Sequence, residues 1–234
     1  MYKLTAADFA DTGQWRLRLN IGFKGLEAFL ENTLHAEIEP QKLCAVAWEE
    51  NPETLKKNLE EAVYNNPRLL DDFATKIVLY DLRTLLIPKD IAEESAGAEE
   101  DLYNEIYKAE ETDVMTDSAG DVTAVWCPGP GVKSFLMRTF PGARVTCNLL
   151  ERVRETGKTV RLLDGENVNA GDNKTVRLFE GIRTGEVDLV LMEGERLLSA
   201  STHLSNDGRE KDWLRKRLLE AYDLESAQVE ILPL

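Results

Sequence analysis

Hydrophobic and polar residues alternate with the period of a β-strand in some segments of the chain and recur with the period of an α-helix in others. Apolar and polar residues alternate in Trp15–Ile21, which is the period of a half-buried strand. The segment Gly22–Gly25 predicts a hairpin turn, because glycines next to alternating runs are typical of tight turns. Two further runs, Leu26–Leu30 and Leu43–Trp48, complete a predicted three-stranded meander.

A helix and a buried strand are predicted after the meander. Asn51 is a good N-cap, Pro52 suits the first helical position, and the helix runs to Asn65. Its apolar residues recur at helical spacing: Leu55, Leu59, Ala62 and Val63. The short apolar run Lys76–Tyr80 indicates a parallel strand that is buried on both faces.

The C-terminal part of the chain repeats this order. Strands are predicted at Thr175–Phe179, Val187–Met192 and Leu197–Thr202, followed by a helix and a last strand at Gln228–Leu232. The glycine turn also returns, as Gly181–Gly185. This echo predicts a duplicated fold.

The middle of the chain is less symmetric. It predicts a short edge strand at 85–88, an acidic helix at 99–109, a strand at 121–126, a helix at 131–140, a strand at 143–147 and a helix at 148–155. The polar stretch 165–173 predicts a loop or hairpin, and its position near the join of the two halves predicts a hinge there. We therefore expect a first half at 1–157, with an acidic insertion around 82–118, and a shorter second half at 158–234.

Composition narrows the classes of function. The formal net charge of −15 opposes broad attraction to nucleic acid or to anionic lipid. No run of apolar residues has the length of a membrane span or of a signal peptide. The cysteines Cys44, Cys127 and Cys147 are odd in number and show no CxxC spacing, so neither a disulfide framework nor a zinc site is indicated. These features predict a cytoplasmic protein without a membrane or nucleic-acid partner.

The repeated strand-strand-strand-helix-strand order resembles the actin-like ATPase fold of sugar kinases, heat-shock chaperones and actin. The resemblance implies an α/β fold of two ribonuclease H-like halves. It also implies that the first hairpin of each half cradles nucleotide phosphates of ATP with Mg²⁺, since glycines let backbone N–H groups approach an anion closely. The positions that correspond to this cradle are Asn20, Gly22, Lys24 and Gly25 in the first hairpin, and Gly181, Arg183, Thr184 and Gly185 in the second.

Both hairpins depart from the pattern that this resemblance calls for. Asn20 stands where the Asp-x-Gly motif has its carboxylate, and a neutral amide has no net charge with which to hold a hydrated divalent cation. Ile182 and Arg183 would crowd a loop that closes around a phosphate. Lys24 and Arg183 still offer positive charge to an anion. The sequence thus predicts a degenerate site and disfavours ATP and Mg²⁺ as cofactors.

At finer grain, three stretches resemble an uncharacterised Bacteroidetes group, the domain-of-unknown-function family 3822. They are Leu17–Phe23, the run from Lys76 to Pro88, and Asp188–Leu198. The resemblance implies the same actin-like fold and brings no known reaction.

Other chemistry has weak signals. Cys127 precedes a predicted helix start, which favours a thiolate, but a proline-glycine turn explains the same residues. The lysine-serine pair after Gly131 lacks the spacing of a P-loop. His35 and His203 are far apart and belong to no catalytic motif. The acidic stretch 93–113 is typical of solvated surface, with a cation-binding or nucleic-acid-mimicking role as the alternative. A basic cluster on the last helix is where an acidic partner would bind: Arg209, Lys211, Arg215, Lys216 and Arg217.

Three functions stay open from the sequence. The first is a non-catalytic protein of actin-like fold, a pseudoenzyme that acts by binding a protein partner. The second is an active ATPase or ATP-dependent phosphotransferase in which other carboxylates, such as Asp164 or Asp188, replace the missing one. The third is a protein that binds an anion or nucleotide without hydrolysing it.

Overall fold

The chain divides into two compact units. The computed structural model describes residues 12–35, 37–93, 97–108, 113–164, 175–183, 186–204 and 210–234, without the side chains of 12, 52, 161–164, 183 and 204. The units are Met1–Asn148 and Leu149–Leu234. None of the helices in these described ranges is both long enough and apolar enough to cross a membrane.

The first unit is built on a mixed five-stranded sheet. Its elements are β1 (Trp15–Gly22), β2 (Gly25–Asn32), β3 (Gln41–Ala47), α1 (Leu55–Asn65), β4 (Ala74–Leu79), β5 (Thr84–Pro88), α2 (Lys89–Glu93), α3 (Ala98–Tyr107), β6 (Met115–Ala119), β7 (Val122–Trp126), α4 (Val132–Thr139) and β8 (Arg144–Cys147). The strand order is β3-β2-β1-β4-β8, in which β1 pairs antiparallel with β2 and parallel with β4.

Burial in this sheet follows the predicted patterns. In β1 the apolar residues Leu17, Leu19 and Ile21 are buried, while the residues between them are not. All of Ile77–Leu79 in β4 is buried, so both faces of the sheet are covered at this central strand. α1 buries the four apolar residues that its spacing predicted. The predicted cap Asn51 accepts a hydrogen bond from the Glu53 N–H at 3.0 Å and so caps a short 3-10 turn that precedes α1.

A separate three-stranded antiparallel sheet follows β4 in the chain. Its order is β5-β7-β6, and α2 and α3 pack against it. β5 lies at an edge, as the sequence predicted, whereas the sequence did not predict β6. The reason is that the polar run of β6 has only one buried residue, Met115, so that its pattern resembles a loop.

The second unit has a four-stranded sheet in the order β11-β10-β9-β12. Its elements are α5 (Asn148–Asp164), which begins one residue before the unit, β9 (Val176–Arg183), β10 (Glu186–Glu193), β11 (Arg196–Leu204), α6 (Lys211–Ala221) and β12 (Val229–Pro233). Leu189 and Leu191 of β10 pack in a cluster with Leu219 of α6. Val190, on the other face of β10, packs with Val160 of α5. Because helices cover both faces, β10 is buried from Glu186 to Met192.

The two large sheets share one topology. In each, the first strand of a three-stranded antiparallel meander pairs parallel with the strand that follows the helix. The predicted boundary between 157 and 158 falls inside α5, and the predicted loop at 165–173 lies outside the described residues. A common origin of the two units stays a prediction.

Ion pairs between neighbouring strands stabilise the exposed face of the first hairpin. Glu31 of β2 accepts from Arg16 of β1 at 2.6 Å and from Arg18 at 3.3 Å. Partial burial acts against ionisation of Glu31, but the hydrogen bonds and charges of both arginines outweigh it and lower the pKa of the carboxyl group. A lowered pKa means that the ionised form stabilises the folded state.

We expect Glu31→Gln to lower the free energy of unfolding by about 1 kcal/mol at neutral pH, because it removes the charge that both arginines contact. Since the pKa of Glu31 is lower in the folded state, this contribution is present above the unfolded-state pKa and is lost as pH falls through the folded-state pKa. Urea unfolding at pH 7 and pH 3 measures the difference between variant and wild type. Glu61→Gln, at an exposed pair with Lys57, is the matched control. An equal loss at both pH values would contradict the electrostatic origin.

Candidate functional site

The turn between β1 and β2 holds four of the predicted site residues. Gly22 pairs with Gly25 and closes a two-residue turn, and Asn20 lies two residues earlier on β1. Lys24 is in the turn itself. The structure therefore brings the first predicted group together at one end of the sheet.

A carboxylate of the chain already occupies a backbone donor of this turn. Asp81 follows β4, and its Oδ2 atom accepts a hydrogen bond from the Phe23 N–H at 3.1 Å. The parallel β1–β4 ladder extends to Tyr80, whose N–H donates to the Ile21 carbonyl at 2.8 Å, and this pairing carries Asp81 to the turn. Asp81 has a φ of 60°, a left-handed conformation that is uncommon for residues other than glycine.

Gly22 is needed here for space. A Cβ atom at position 22 would lie 2.6 Å from the Asp81 Oδ2 atom. The resemblance implied that a nucleotide phosphate approaches this turn, whereas the anion that lies beside it in the structure is the Asp81 side chain. No sequence pattern indicated this role, because Asp81 lies far from the turn in the chain and belongs to no motif.

Asn20 is engaged with its neighbours on β1. Its Oδ1 atom accepts a hydrogen bond from the Arg18 Nε atom at 3.0 Å, and Arg18 in turn binds Glu31. Burial acts to lower the pKa of Arg18, but Tyr80 and Glu31 outweigh it and raise the pKa, so the guanidinium stays charged. The amide of Asn20 thus faces a permanent cation, and this environment repels a metal ion.

Lys24 and Gly25 have structural partners as well. The Lys24 Nζ atom lies 3.2 Å from Glu50 in an exposed ion pair, and the Lys24 carbonyl accepts from the Trp48 N–H at 3.1 Å. A Cβ atom at position 25 would lie 2.6 Å from the Val46 carbonyl oxygen, so Gly25 lets β3 approach β2. Gly25 therefore has a structural role in the packing of β3 against β2, and Glu50 partly compensates the charge of Lys24.

The second glycine echo is out of register with the first. Arg183 pairs with Glu186 and occupies the place that Gly22 has in the first hairpin, while Gly181 lies two residues before it within β9, opposite Asp188. The predicted turn at 181–185 is therefore corrected in its first three residues, because Gly181, Ile182 and Arg183 belong to β9. Thr184, Gly185 and the Arg183 side chain lie outside the described residues. The strand topology repeats in the two units, and the glycine spacing does not.

A buried carboxylate beside Gly181 is paired with two cations. The side chain of Glu180 is 5% exposed. It accepts two hydrogen bonds from Arg215 of α6, one of them at 2.9 Å, and lies 3.2 Å from Lys211. The hydrogen bond from Arg215 to Glu180 raises the pKa of the arginine. The sequence predicted Lys211 and Arg215 as part of a surface for an acidic partner, and the structure pairs them inside the chain instead.

Asp188, the predicted substitute carboxylate, is also engaged. It is 1% exposed, accepts from the Thr202 Oγ1 atom at 2.7 Å and lies 3.3 Å from the Arg152 Nε atom. Asp164, the other predicted substitute, has a side chain outside the described residues. Asp188 is part of a buried polar cluster between β10, β11 and α5, where its oxygens have partners within the protein.

The cysteine and histidine candidates from the sequence have contacts with other residues of the protein. Cys127 packs beside the core under the three-stranded sheet, and an Asp113 carboxylate binds the Gly131 N–H at the start of α4. His35 contacts Glu37 at the surface, and burial lowers the pKa of His203, whose ring lies 2.9 Å from the Ser201 hydroxyl. Among the described residues, no three His, Cys, Asp or Glu side chains are grouped to hold a metal ion.

The rest of the predicted basic cluster is divided. Lys216 and Arg217 of α6 are exposed and pair with Glu220, at 3.9 Å and 3.4 Å. Arg209 lies outside the described residues. The charge of these two cations is therefore partly compensated, since both pair with the same carboxylate.

Comparison with known proteins identifies the fold. A Bacteroides thetaiotaomicron protein with actin-like ATPase fold and unknown function is similar over 97% of this chain and 84% of its own, with a TM-score of 0.75 and 15% sequence identity. Weaker likenesses include the cytoplasmic domain of EpsL from Vibrio cholerae, with a TM-score of 0.39, 9% identity, and coverage of 94% of this chain and 82% of that one. The Aquifex aeolicus PPX-GPPA enzyme has a TM-score of 0.38 and 9% identity over 89% of this chain and 61% of its own.

The chain has an actin-like ATPase fold of the α/β class, as the strand order in its sequence predicted. No protein-family model and no curated protein matches the sequence. Fold alone does not fix activity, since one fold hosts many functions. Whether the chain is catalytic is therefore a question for its site.

We expect Gly22→Ala to destabilise the protein by about 1–3 kcal/mol, because the new methyl group collides with the Asp81 carboxylate. In an Asp81→Gly background the same change should cost less than about 1 kcal/mol, since the colliding group is gone and position 81 already has a left-handed backbone. Gly25→Ala is the matched control: it meets the Val46 carbonyl and should cost the same in both backgrounds. Urea unfolding of the variants measures the coupling between the two positions. If the effects of the Gly22 and Asp81 substitutions on the free energy of unfolding were additive, that result would contradict the contact.

Removing the buried charge of Glu180 should be costly. We expect Glu180→Gln to lower the free energy of unfolding by about 1–3 kcal/mol, because Arg215 and Lys211 lose their shared counter-ion. Glu220→Gln, which removes exposed ion pairs on α6, should change the free energy of unfolding by less than about 0.5 kcal/mol. Thermal unfolding followed by circular dichroism compares the two, and equal effects would show that the burial of Glu180 has no energetic weight.

Proposed function

We propose that this protein is a non-catalytic member of the actin-like fold, a pseudoenzyme that acts by binding a protein partner. The observation that carries the proposal is the hydrogen bond from the Phe23 N–H to the Asp81 carboxylate. A nucleotide phosphate bound at this turn would compete for the same donor and would be repelled by the charge of Asp81.

The surroundings of the first hairpin also fit Mg²⁺ poorly. A hydrated Mg²⁺ ion needs carboxylate or phosphate oxygens. Asn20 supplies an amide oxygen that Arg18 already binds. The buried carboxylates of the second unit, Glu180 and Asp188, contact Arg215 and Arg152, so a metal ion would have to break these pairs.

Three finer assignments belong to this proposal. The first is that the chain is a relative of the Bacteroidetes domain-of-unknown-function family 3822, supported by the sequence stretches that resemble it and by the Bacteroides protein of the same fold. The second is that it works in the cytoplasm, supported by its odd number of cysteines and its acidic composition. The two units are proposed to be ribonuclease H-like halves of one duplicated fold, supported by their shared strand order.

Isothermal titration of the whole chain with ATP and ADP, each with and without Mg²⁺, tests the proposal. We expect no saturable binding below about 1 mM. Release of inorganic phosphate from ATP, measured on the same preparation, should equal the rate without protein.

Binding or turnover that depends on Mg²⁺ would contradict the proposal. Lys24→Ala then identifies the site, because Lys24 is the cation of the first turn. Lys57→Ala is the matched control, since Lys57 is an exposed lysine on α1 that also pairs with a glutamate. Binding without turnover that only Lys24→Ala abolishes would favour the anion-binding alternative.

A further inference from the structure

The third strand of the first unit forms an open edge of its sheet. β3 is the last strand in the order β3-β2-β1-β4-β8, and none of its seven residues is buried. An edge strand presents N–H and C=O groups that can pair with another strand. Proteins commonly protect such edges with prolines, bulges, lysines or short strands.

The protection of β3 is confined to its first residues. Lys42 and an irregular register opposite Ala28 and Phe29 both lie there. From Cys44 to Ala47 the pairing with β2 is regular and the strand has neither proline nor charge. By contrast, the edge strands β5 and β12 each end in a proline, and β8 has four residues.

The hydrogen-bond pattern identifies the groups at the open edge. The Trp48 N–H donates to the Lys24 carbonyl across the β2–β3 ladder. Because groups alternate along an antiparallel strand, Val46 and Cys44 also face β2, while the N–H and C=O groups of Ala45 and Ala47 point away from it. The side chains of Ala45 and Ala47 are small and exposed, so a second backbone can approach them.

Acidic residues flank this edge at both ends. Glu37 and Glu39 precede β3, Glu49 and Glu50 follow it, and all four are exposed. Glu37 contacts His35, and Glu50 contacts Lys24. In the part of the chain that the structure describes, Glu39 and Glu49 have no cationic partner. A segment that lies along β3 would therefore meet an apolar centre and negative charge at each end.

We propose that the outer edge of β3 binds an extended segment of a partner protein, with apolar residues at its centre and Lys or Arg at its ends, through backbone hydrogen bonds to Ala45 and Ala47. This inference rests on the proposed function and names the chemistry of its partner. Strand addition gives affinity through the main chain, and the flanking carboxylates give specificity for basic ends.

A random-peptide phage library, selected on the purified whole chain, supplies the probe. The best enriched peptide is synthesised, and its dissociation constant is measured by fluorescence anisotropy. We expect enriched peptides with basic ends and an apolar centre. Ala45→Pro removes one outward N–H without touching the β2 ladder and should weaken binding about tenfold or more.

The charge variants provide a test that does not depend on a proline. Glu39→Lys with Glu49→Lys should weaken binding at least about threefold, with a loss that shrinks in high salt. Glu60→Lys with Glu61→Lys makes the same change of charge on exposed residues of α1 and should leave binding unchanged.

Alkylation of cysteines locates the bound peptide. Cys44 lies in β3 and is partly exposed, as is Cys127, which lies elsewhere in the unit. The peptide should slow alkylation of Cys44 and leave that of Cys127 unchanged. Failure to enrich any peptide, or an enriched peptide that binds Ala45→Pro as tightly as wild type, would overturn this inference. Neither outcome would restore nucleotide binding, so the proposed function stands or falls by its own titration.

Discussion

The hydrogen bond between the Phe23 N–H and the Asp81 carboxylate is the interaction on which the first hairpin depends. It joins the turn to a residue that follows β4, the strand that pairs with β1, and so contacts the turn from outside the hairpin. A Cβ atom at position 22 would collide with this carboxylate, and Asp81 has a left-handed backbone. A conformation of this kind costs free energy of order 1 kcal/mol for a residue with a side chain, so the contact must compensate for it. The anion that contacts the backbone of this turn is therefore a side chain of the protein.

Carboxylates of the second unit also have partners within the protein. Glu180 and Asp188 lie on adjacent strands, on opposite faces of the sheet, and each meets an arginine from the helix on its side. A buried carboxylate needs such a partner, because an uncompensated charge in a low-dielectric interior is strongly destabilising. These acidic groups therefore fasten α6 and α5 to the sheet. Both carboxylates thus have partners within the protein, and the ion pairs that they form stabilise the fold.

Much of the fold could be predicted from the sequence, because strand alternation and helical spacing report burial directly. The alternation of β1, the doubly buried β4 and the apolar stripe of α1 are examples. β6 was not predicted, because a polar strand with a single buried residue shows no alternation of apolar and polar residues. The site was harder. The spacing of the glycines predicted two equivalent turns, yet Gly181 lies inside β9. Spacing along the chain does not determine which residues pair across two strands. Asp81, Arg18 and Glu180 acquire their roles through partners that are distant in sequence, and no local pattern encodes such contacts.

The most direct measurement is the amide resonance of Phe23 in a ¹H–¹⁵N NMR spectrum of the whole chain during titration with Mg-ATP. If Asp81 holds this N–H, the resonance stays in place while ATP rises to about 1 mM. A saturable shift of Phe23 together with Gly22 and Lys24 would mean that a phosphate displaces the carboxylate. The turn would then be a working nucleotide site, and its assignment as a cradle filled by the protein's own anion would be wrong.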